Sequence, residues 1–382
     1  MKNLFTFFAI LLVATGSYAQ EDEYLVKVVR ESDYRTNCLD LNKDNTQLLI
    51  GGENKTVEIL DLNTHKTVFQ TEAHYQPLID VKYSEVENTF YTIGDRSIKY
   101  WQVGAEKPTK IYTGTNTNIT SWVCSPREDC FVASSYAKKY RYWDATELKA
   151  IKTVDTGHKK SIISIAMSSD KKYVATGALD TSIEIWENET AIKKHLLLAH
   201  SRPVSCLQFV SGNQYLISAS HDGNGRLWDV QKGESVKLYL GHTKPISAIA
   251  VSPCGKYLLM ASFDNTISLF NIATGDRLHN YKHHEFPVLD VVWKNNGDGF
   301  YACDKEGVIT EWSVTKQVFV DYYYAKEMDA EMVESKLFVP RKKGESKDSY
   351  KSRLARANKF KNKLTEKYYL QYQELEKDQV IK

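Results

Sequence analysis

The sequence predicts an all-β fold: a closed β-propeller of seven four-stranded blades, followed by a basic, amphipathic helical tail. Three observations predict it. A large apolar anchor recurs at Leu60, Trp101, Trp143, Trp186, Trp228, Phe270 and Trp312, at separations of 41 to 43 residues. Each interval is filled by short strand-like runs separated by turns. After Tyr324 this texture stops, and a helical period soon replaces it. A period of about 42 residues, held over six intervals, marks propeller blades.

The elements follow in chain order. Residues 1–19 read as a removable export signal. Lys2 supplies a positive start, Leu4 to Val13 is apolar, and Ser17-Tyr18-Ala19 fits a small-x-small cleavage site. The apolar run is short for a membrane span, and no later segment is apolar enough to cross. The mature chain is therefore expected to be exported, periplasmic or extracellular, without a transmembrane segment. Residues 24–324 carry the ring. One unit shows its texture: PISAIAVS is a strand, PCGK a turn, YLLMAS a strand, FDN a turn, TISLFNI a strand, and ATGD the turn before RLHNYKH. Residues 325–382 form the tail.

A histidine lies 27 or 28 residues before the anchor in five units: His74, His158, His200, His242 and His284. A turn acid follows in four of them: Asp95, Asp180, Asp222 and Asp264. These residues resemble the WD-repeat family, in which Gly-His opens each repeat and Trp-Asp closes it. Gly157-His158 and Gly241-His242 match the opening in full, and Trp143-Asp144 and Trp228-Asp229 match the close. The resemblance covers residues 24–324. It implies that His, a Ser or Thr, Asp and Trp of one unit form a buried hydrogen-bonded chain. In the fifth unit its members are His200, Ser218 or Ser220, Asp222 and Trp228. Asn54, Ala137 and Glu306 stand where units one, three and seven would carry the acid, so the chain is expected to be broken there.

The ring must close. YLVKVVRES aligns with a fourth strand one unit too early, and is expected to complete the seventh blade. VFVDYYY (318–324) competes for the same slot. The six cysteines form no C-x-x-C pair, which removes zinc and thioredoxin-like readings. Cys38 and Cys206 read as buried small hydrophobes. Cys124 and Cys130 flank a five-residue turn, at a spacing that allows a disulfide across that hairpin; the alternative is two free, buried thiols.

In the tail, Tyr350, Leu354, Ala357, Phe360, Leu364, Tyr368 and Tyr372 recur at helical spacing after Ser346. Residues 325–382 hold 15 basic and 10 acidic side chains. The helix either lays its stripe on the ring or offers it to a partner or an envelope surface. Phe338, Pro340, Glu345, Ser346, Tyr350 and Arg353 resemble a tail segment of exported Bacteroidetes-type bacterial proteins.

A His/Ser/Asp set suggests a hydrolase triad. Here the set recurs from unit to unit, and the Trp gives each His a structural partner. No G-x-S-x-G, H-E-x-x-H or Walker loop occurs. No catalytic residue, cofactor or metal is therefore expected. A net charge of +2 opposes nucleic-acid binding. The resemblance implies a non-enzymatic interaction scaffold. Two residues past the His position the units carry Arg35, Gln76, Thr117, Lys160, Arg202, Lys244 and Phe286. With Lys159 and His221, the cations among them form a basic sector expected to bind an acidic protein surface. The alternative is a glycan or envelope ligand stacked on Tyr34, Tyr75, Tyr136 and Phe263.

Overall fold

A computed structural model describes residues 22–379 and 381. The expected export signal, 1–19, lies outside them. Two compact units are present, the ring Tyr24–Ser313 and the tail Val314–Val380.

The ring has seven antiparallel four-stranded blades. Six are built from consecutive strands. The seventh combines Val288–Trp293, Gly299–Asp304 and Ile309–Ser313 with the N-terminal strand Leu25–Arg30. Leu25 pairs with Trp312 and Val28 with Thr310, so the chain start clasps the chain's last strand. The first strands of successive blades lie side by side around the axis. Each has a β-bulge one residue after its start, as between Val204 and Cys206 or Val288 and Asp290. A bulge sharpens the local twist, and the freed residue often reaches the next blade. Asn37 Nδ2 donates to the Leu78 carbonyl at 2.9 Å, and Ser205 Oγ to that of Ile246 at 2.7 Å.

The seven anchors all sit on third strands. Each faces an apolar residue of the second strand: Leu216 opposite Trp228, Phe300 opposite Trp312. Trp143 and Trp312 are fully buried. Burying a side chain of this kind stabilises by about 1.5–3 kcal/mol, and the 42-residue period repeats that contribution around the ring.

The hairpin of blade three corrects the disulfide expectation. Cys124 stands opposite Phe131, not Cys130. Side chains alternate along a strand, so the two thiols point to opposite faces. Cys124 joins the cluster of Tyr91, Phe131 and Trp143, while Cys130 borders that of Tyr142 and Met167. Both are free. Burial pushes the Cys124 thiol up to about 12, and Cys254 is exposed. Iodoacetamide at mildly alkaline pH should therefore label Cys254 in the folded protein and spare Cys124. Reductant should leave the melting temperature unchanged; a reductant-sensitive melt would restore the bond.

VFVDYYY is not a strand. Lys316–Tyr323 forms helix α1, followed by α2, Ala325–Glu334, and α3, Lys347–Lys377. The fourth-strand slot of blade seven is taken by Leu25–Arg30. A segment with no sheet edge to join satisfies its backbone internally, as a helix does. Ser346 caps α3, its hydroxyl accepting from the Ser349 N–H at 3.1 Å. Val320, Met328, Met332, Leu364 and Tyr368 make the tail's own core. Arg353 ties the preceding loop to α3. It meets Glu345 at 2.8 Å and donates to the carbonyls of Leu337 and Val339. Lys351, Arg356, Lys359 and Lys363 stay exposed. No helix among the described residues is long and apolar enough to cross a membrane.

Candidate partner-binding face

The face where first strands begin is built from two loops per blade. One enters the first strand and carries the His; the other joins the second and third strands and carries the turn acid. In blade five these are the loops around His200 and Asp222. Their backbones are tied together, the His221 N–H donating to the Pro203 carbonyl at 2.9 Å. Gly223 makes the second turn possible. Its φ is +81°, and a Cβ there would meet the His242 carbonyl oxygen of the next blade at 2.7 Å.

Beneath the loops lies the buried chain. Trp228 Nε1 is 2.8 Å from Ser218 Oγ, Ser218 Oγ is 2.8 Å from His200 Nε2, and His200 Nδ1 is 2.9 Å from Asp222. An indole only donates and a carboxylate only accepts. The proton order is thereby set: Trp to Ser, Ser to Nε2, and Nδ1–H to Asp. Burial pushes the Asp222 carboxyl up, but the hydrogen bonds it accepts from His200 and from the Ser201 and Asn224 N–H groups outweigh it and hold the group below its ordinary value. Ser220 stands outside this chain and donates to the Arg202 carbonyl at 3.0 Å. The imidazole is fully enclosed, so it has no route to a substrate. Trp228→Phe should destabilise the ring by about 1–3 kcal/mol, because Ser218 keeps a buried acceptor without its donor. Equal denaturation midpoints for variant and parent would contradict this account.

The other blades vary the device. Blade two repeats it through His74, Thr92, Asp95 and Trp101. In blade four Ser182 stands 2.9 Å from His158 Nδ1. In blade six Phe270 has no donor, and His242 Nε2 turns to the Met260 carbonyl at 3.1 Å. Blade seven corrects the expectation of a broken chain. Asp304, two residues before Glu306, meets His284 at 2.8 Å, and Thr310 bridges His284 Nε2 and the Trp312 N–H at 2.9 and 2.7 Å. The relay hydroxyl has moved from the second strand to the third. Blade one uses different chemistry. Glu58, nearly fully buried, ion-pairs with Arg30 of the clasp strand and accepts hydrogen bonds from Tyr34 at 2.8 Å and from Thr67.

The predicted face residues divide. Lys159 and Lys160 on blade four, Arg202 on blade five and Lys244 on blade six are exposed. None has an ion-pair partner among the described residues. Phe286 on blade seven is 42% exposed and Phe263 on blade six 36%. Arg35 is different: it is half-buried, and its Nε is enclosed without a partner. His221 does not add charge near neutral pH. Burial, then the neighbouring Arg202 cation, lowers its pKa. Of the stacking candidates, Tyr34 is taken into the Glu58 network, while Tyr75 and Tyr136 stand exposed on blades two and three. Among the described residues no group of three or more His, Cys, Asp or Glu side chains could hold a metal ion.

The family model for the WD domain, G-beta repeat, matches residues 149–187, 192–229 and 233–271. No curated protein matches the chain. The three matched stretches end at Glu187, Asp229 and Asn271, each one residue beyond an anchor. Four further blades continue them in one closed ring, and together the matched repeats and the ring support reading the chain as a seven-bladed WD-repeat β-propeller.

Proposed function

We propose that the protein is an exported, non-enzymatic scaffold that captures an acidic protein surface on blades four to six. One observation carries this reading. Lys159, Lys160, Arg202 and Lys244 project unpaired from successive blades, beside the exposed ring of Phe263. Unpaired cations keep their field for a partner, and an adjacent aromatic supplies the apolar contact that fixes binding. The His-centred networks hold the loops that present them. The polar atoms of those networks satisfy one another, which leaves them structural. Export rests on the sequence of residues 1–19.

Charge reversal of Lys160, Arg202 and Lys244 together should weaken capture of the partner by more than about tenfold, because like-charge juxtaposition costs several kcal/mol. Thermal stability should hold, since none of the three is buried. Pull-down from the native envelope with parent and variant reads the result. Unchanged capture by a folded variant moves the partner site away from this face.

A further inference from the structure

The opposite face of the ring has a cavity of about 480 Å3. It lies where the first strands of blades three to five end, and blade six closes its edge. Trp122, Ile165, Met167, Leu207, Phe209 and Val251 contribute to its walls. None of its lining residues carries a charge. Its one ionisable group is the Cys124 thiol, which burial keeps protonated.

The neutrality is one-sided. At the position just after the bulge, blades seven and two carry Asp290 and Asp80, whereas blades three to six carry Ser121, Ser164, Cys206 and Ala248. Two residues further on, blades one and two carry Asp40 and Lys82, and blades three to six carry Val123, Ala166, Gln208 and Ala250. The first strands of blades seven, one and two thus carry ionisable side chains, Asp290, Asp40, Asp80 and Lys82, at positions where those of blades three to six carry none but the Cys206 thiol, and the cavity lies among the latter. A charged ligand would shed its water there without a counter-charge.

Two further features point to a ligand. Asp40, at the Gln208 position of blade one, accepts from the Tyr83 N–H at 2.6 Å and so bridges to the next blade. Gln208 makes no such bridge: its half-exposed amide has no hydrogen-bond partner among the described residues, and the residue lines the cavity. The rim is also fixed in advance. Ser211, Gly212 and Asn213 all have positive φ, at 51°, 64° and 70°. Asn213 holds the turn to blade four, accepting from the Ser169 N–H at 2.9 Å and donating to its hydroxyl at 2.9 Å. Ser169, Gln208, Ser211 and Asn213 set polar groups among the aromatic and aliphatic walls. A preformed, neutral pocket of mixed lining fits an oriented small molecule.

We infer that this cavity binds an uncharged aromatic or alicyclic small molecule, oriented by a carbonyl or hydroxyl that meets the Gln208 amide. The site is independent of the basic face on the other side of the ring.

Nile red, which is neutral and carries a ring carbonyl, is a suitable probe for the full chain. Its emission should shift to the blue and saturate at one dye per chain. Val251→Arg sets a cation into the neutral wall and should weaken binding more than about tenfold. Gln208→Leu adds no charge and little volume. It should weaken Nile red by about three- to tenfold, the equivalent of one hydrogen bond. It should leave the hydrocarbon probe diphenylhexatriene unaffected. Lys160→Glu on the far face should change neither. If Val251→Arg melts early, Gln208→Leu alone decides. Absence of saturable binding, or parental Nile red affinity in a folded Gln208→Leu variant, would overturn the inference. So would displacement of the dye by the neutral peptide acetyl-Gly-Phe-Gly-amide at lower concentration than by p-cresol, since that would make the occupant a peptide.

Discussion

Glu58→Ala should destabilise the ring by about 3–5 kcal/mol, the loss expected when one partner of a buried ion pair is removed. Glu58 is nearly fully buried, and Arg30 keeps about a fifth of its side chain exposed. Burial pushes the Glu58 carboxyl up. The hydrogen bonds from Arg30, Thr67 and Tyr34 outweigh it and hold the group below its ordinary value. Arg30 belongs to the clasp strand of blade seven and Glu58 to the third strand of blade one. The pair therefore ties the clasp strand to blade one beside the seam where the clasp meets Ile309–Ser313, and truncation strands a guanidinium there. Replacing both residues by Met should recover most of the loss, because apolar groups of similar volume need no partner. Chemical denaturation of the two single variants and the double variant reads the coupling. Additive losses would show that the seam does not depend on the pair.

A second large effect concerns pH. Burial raises the pKa of three first-strand carboxyls: Asp40 to about 7, Asp80 to about 6 and Asp290 to about 8. Neighbouring carboxylates add to the rise for Asp40 and Asp290, while the backbone N–H donors oppose it. An unfolded Asp titrates near 3.9. Above about pH 4 the folded ring thus holds protons that the unfolded chain has released. Stability from these groups falls from about pH 4 upward until the pH has passed their folded values of about 6 to 8. Carboxyls with lowered values, such as Asp222 and Glu58, act in the opposite direction, but only below about pH 4. The windows are separate. Asp290→Asn keeps an acceptor for the Leu39 N–H, which Asp290 meets at 2.8 Å, and removes the charge. The gain in stability should be larger at pH 8 than at pH 5 by about 2 kcal/mol, at about 1.4 kcal/mol per pH unit less what water near the group screens. Denaturation midpoints at the two pH values test the sign. A variant less stable than the parent at pH 8 would show that the carboxylate is wanted as an anion.

The ring was legible because the anchor is a property of one strand and recurs at a fixed spacing. Trp228 and Leu216 meet across adjacent strands, so a local pattern records them. The relay of blade seven was not legible. Asp304 lies outside the slot where other units keep their acid, and Thr310 approaches from a different strand. Geometry reunited what spacing had separated. The Arg30–Glu58 pair ties the clasp strand to blade one and follows no repeat. The residues 318–324 have a strand's composition, yet the slot they suit was already occupied, so propensity lost to topology. The division between ionisable and neutral first strands comes from single positions on those strands, too sparse to form a pattern. On the basic face the sequence located the loops, but not which side chains stand free. Arg35 and His221 are half-buried, which their place in a polar loop did not reveal.

The clasp strand has a consequence for the protein's birth. Leu25–Arg30 is the first strand to leave the ribosome, and its partner, Ile309–Ser313, is the last of the ring. About 280 residues separate them. At a synthesis rate of roughly 5–20 residues per second, the first strand waits on the order of 15–55 seconds with its backbone unpaired. During that wait Val26 and Val28, still half-open to solvent in the finished ring, are carried by a chain that cannot close. Six blades can assemble in order as they are made. The seventh cannot, so a product that stops short of Ile309 leaves the clasp strand without its partner and keeps a bare sheet edge, a template for aggregation.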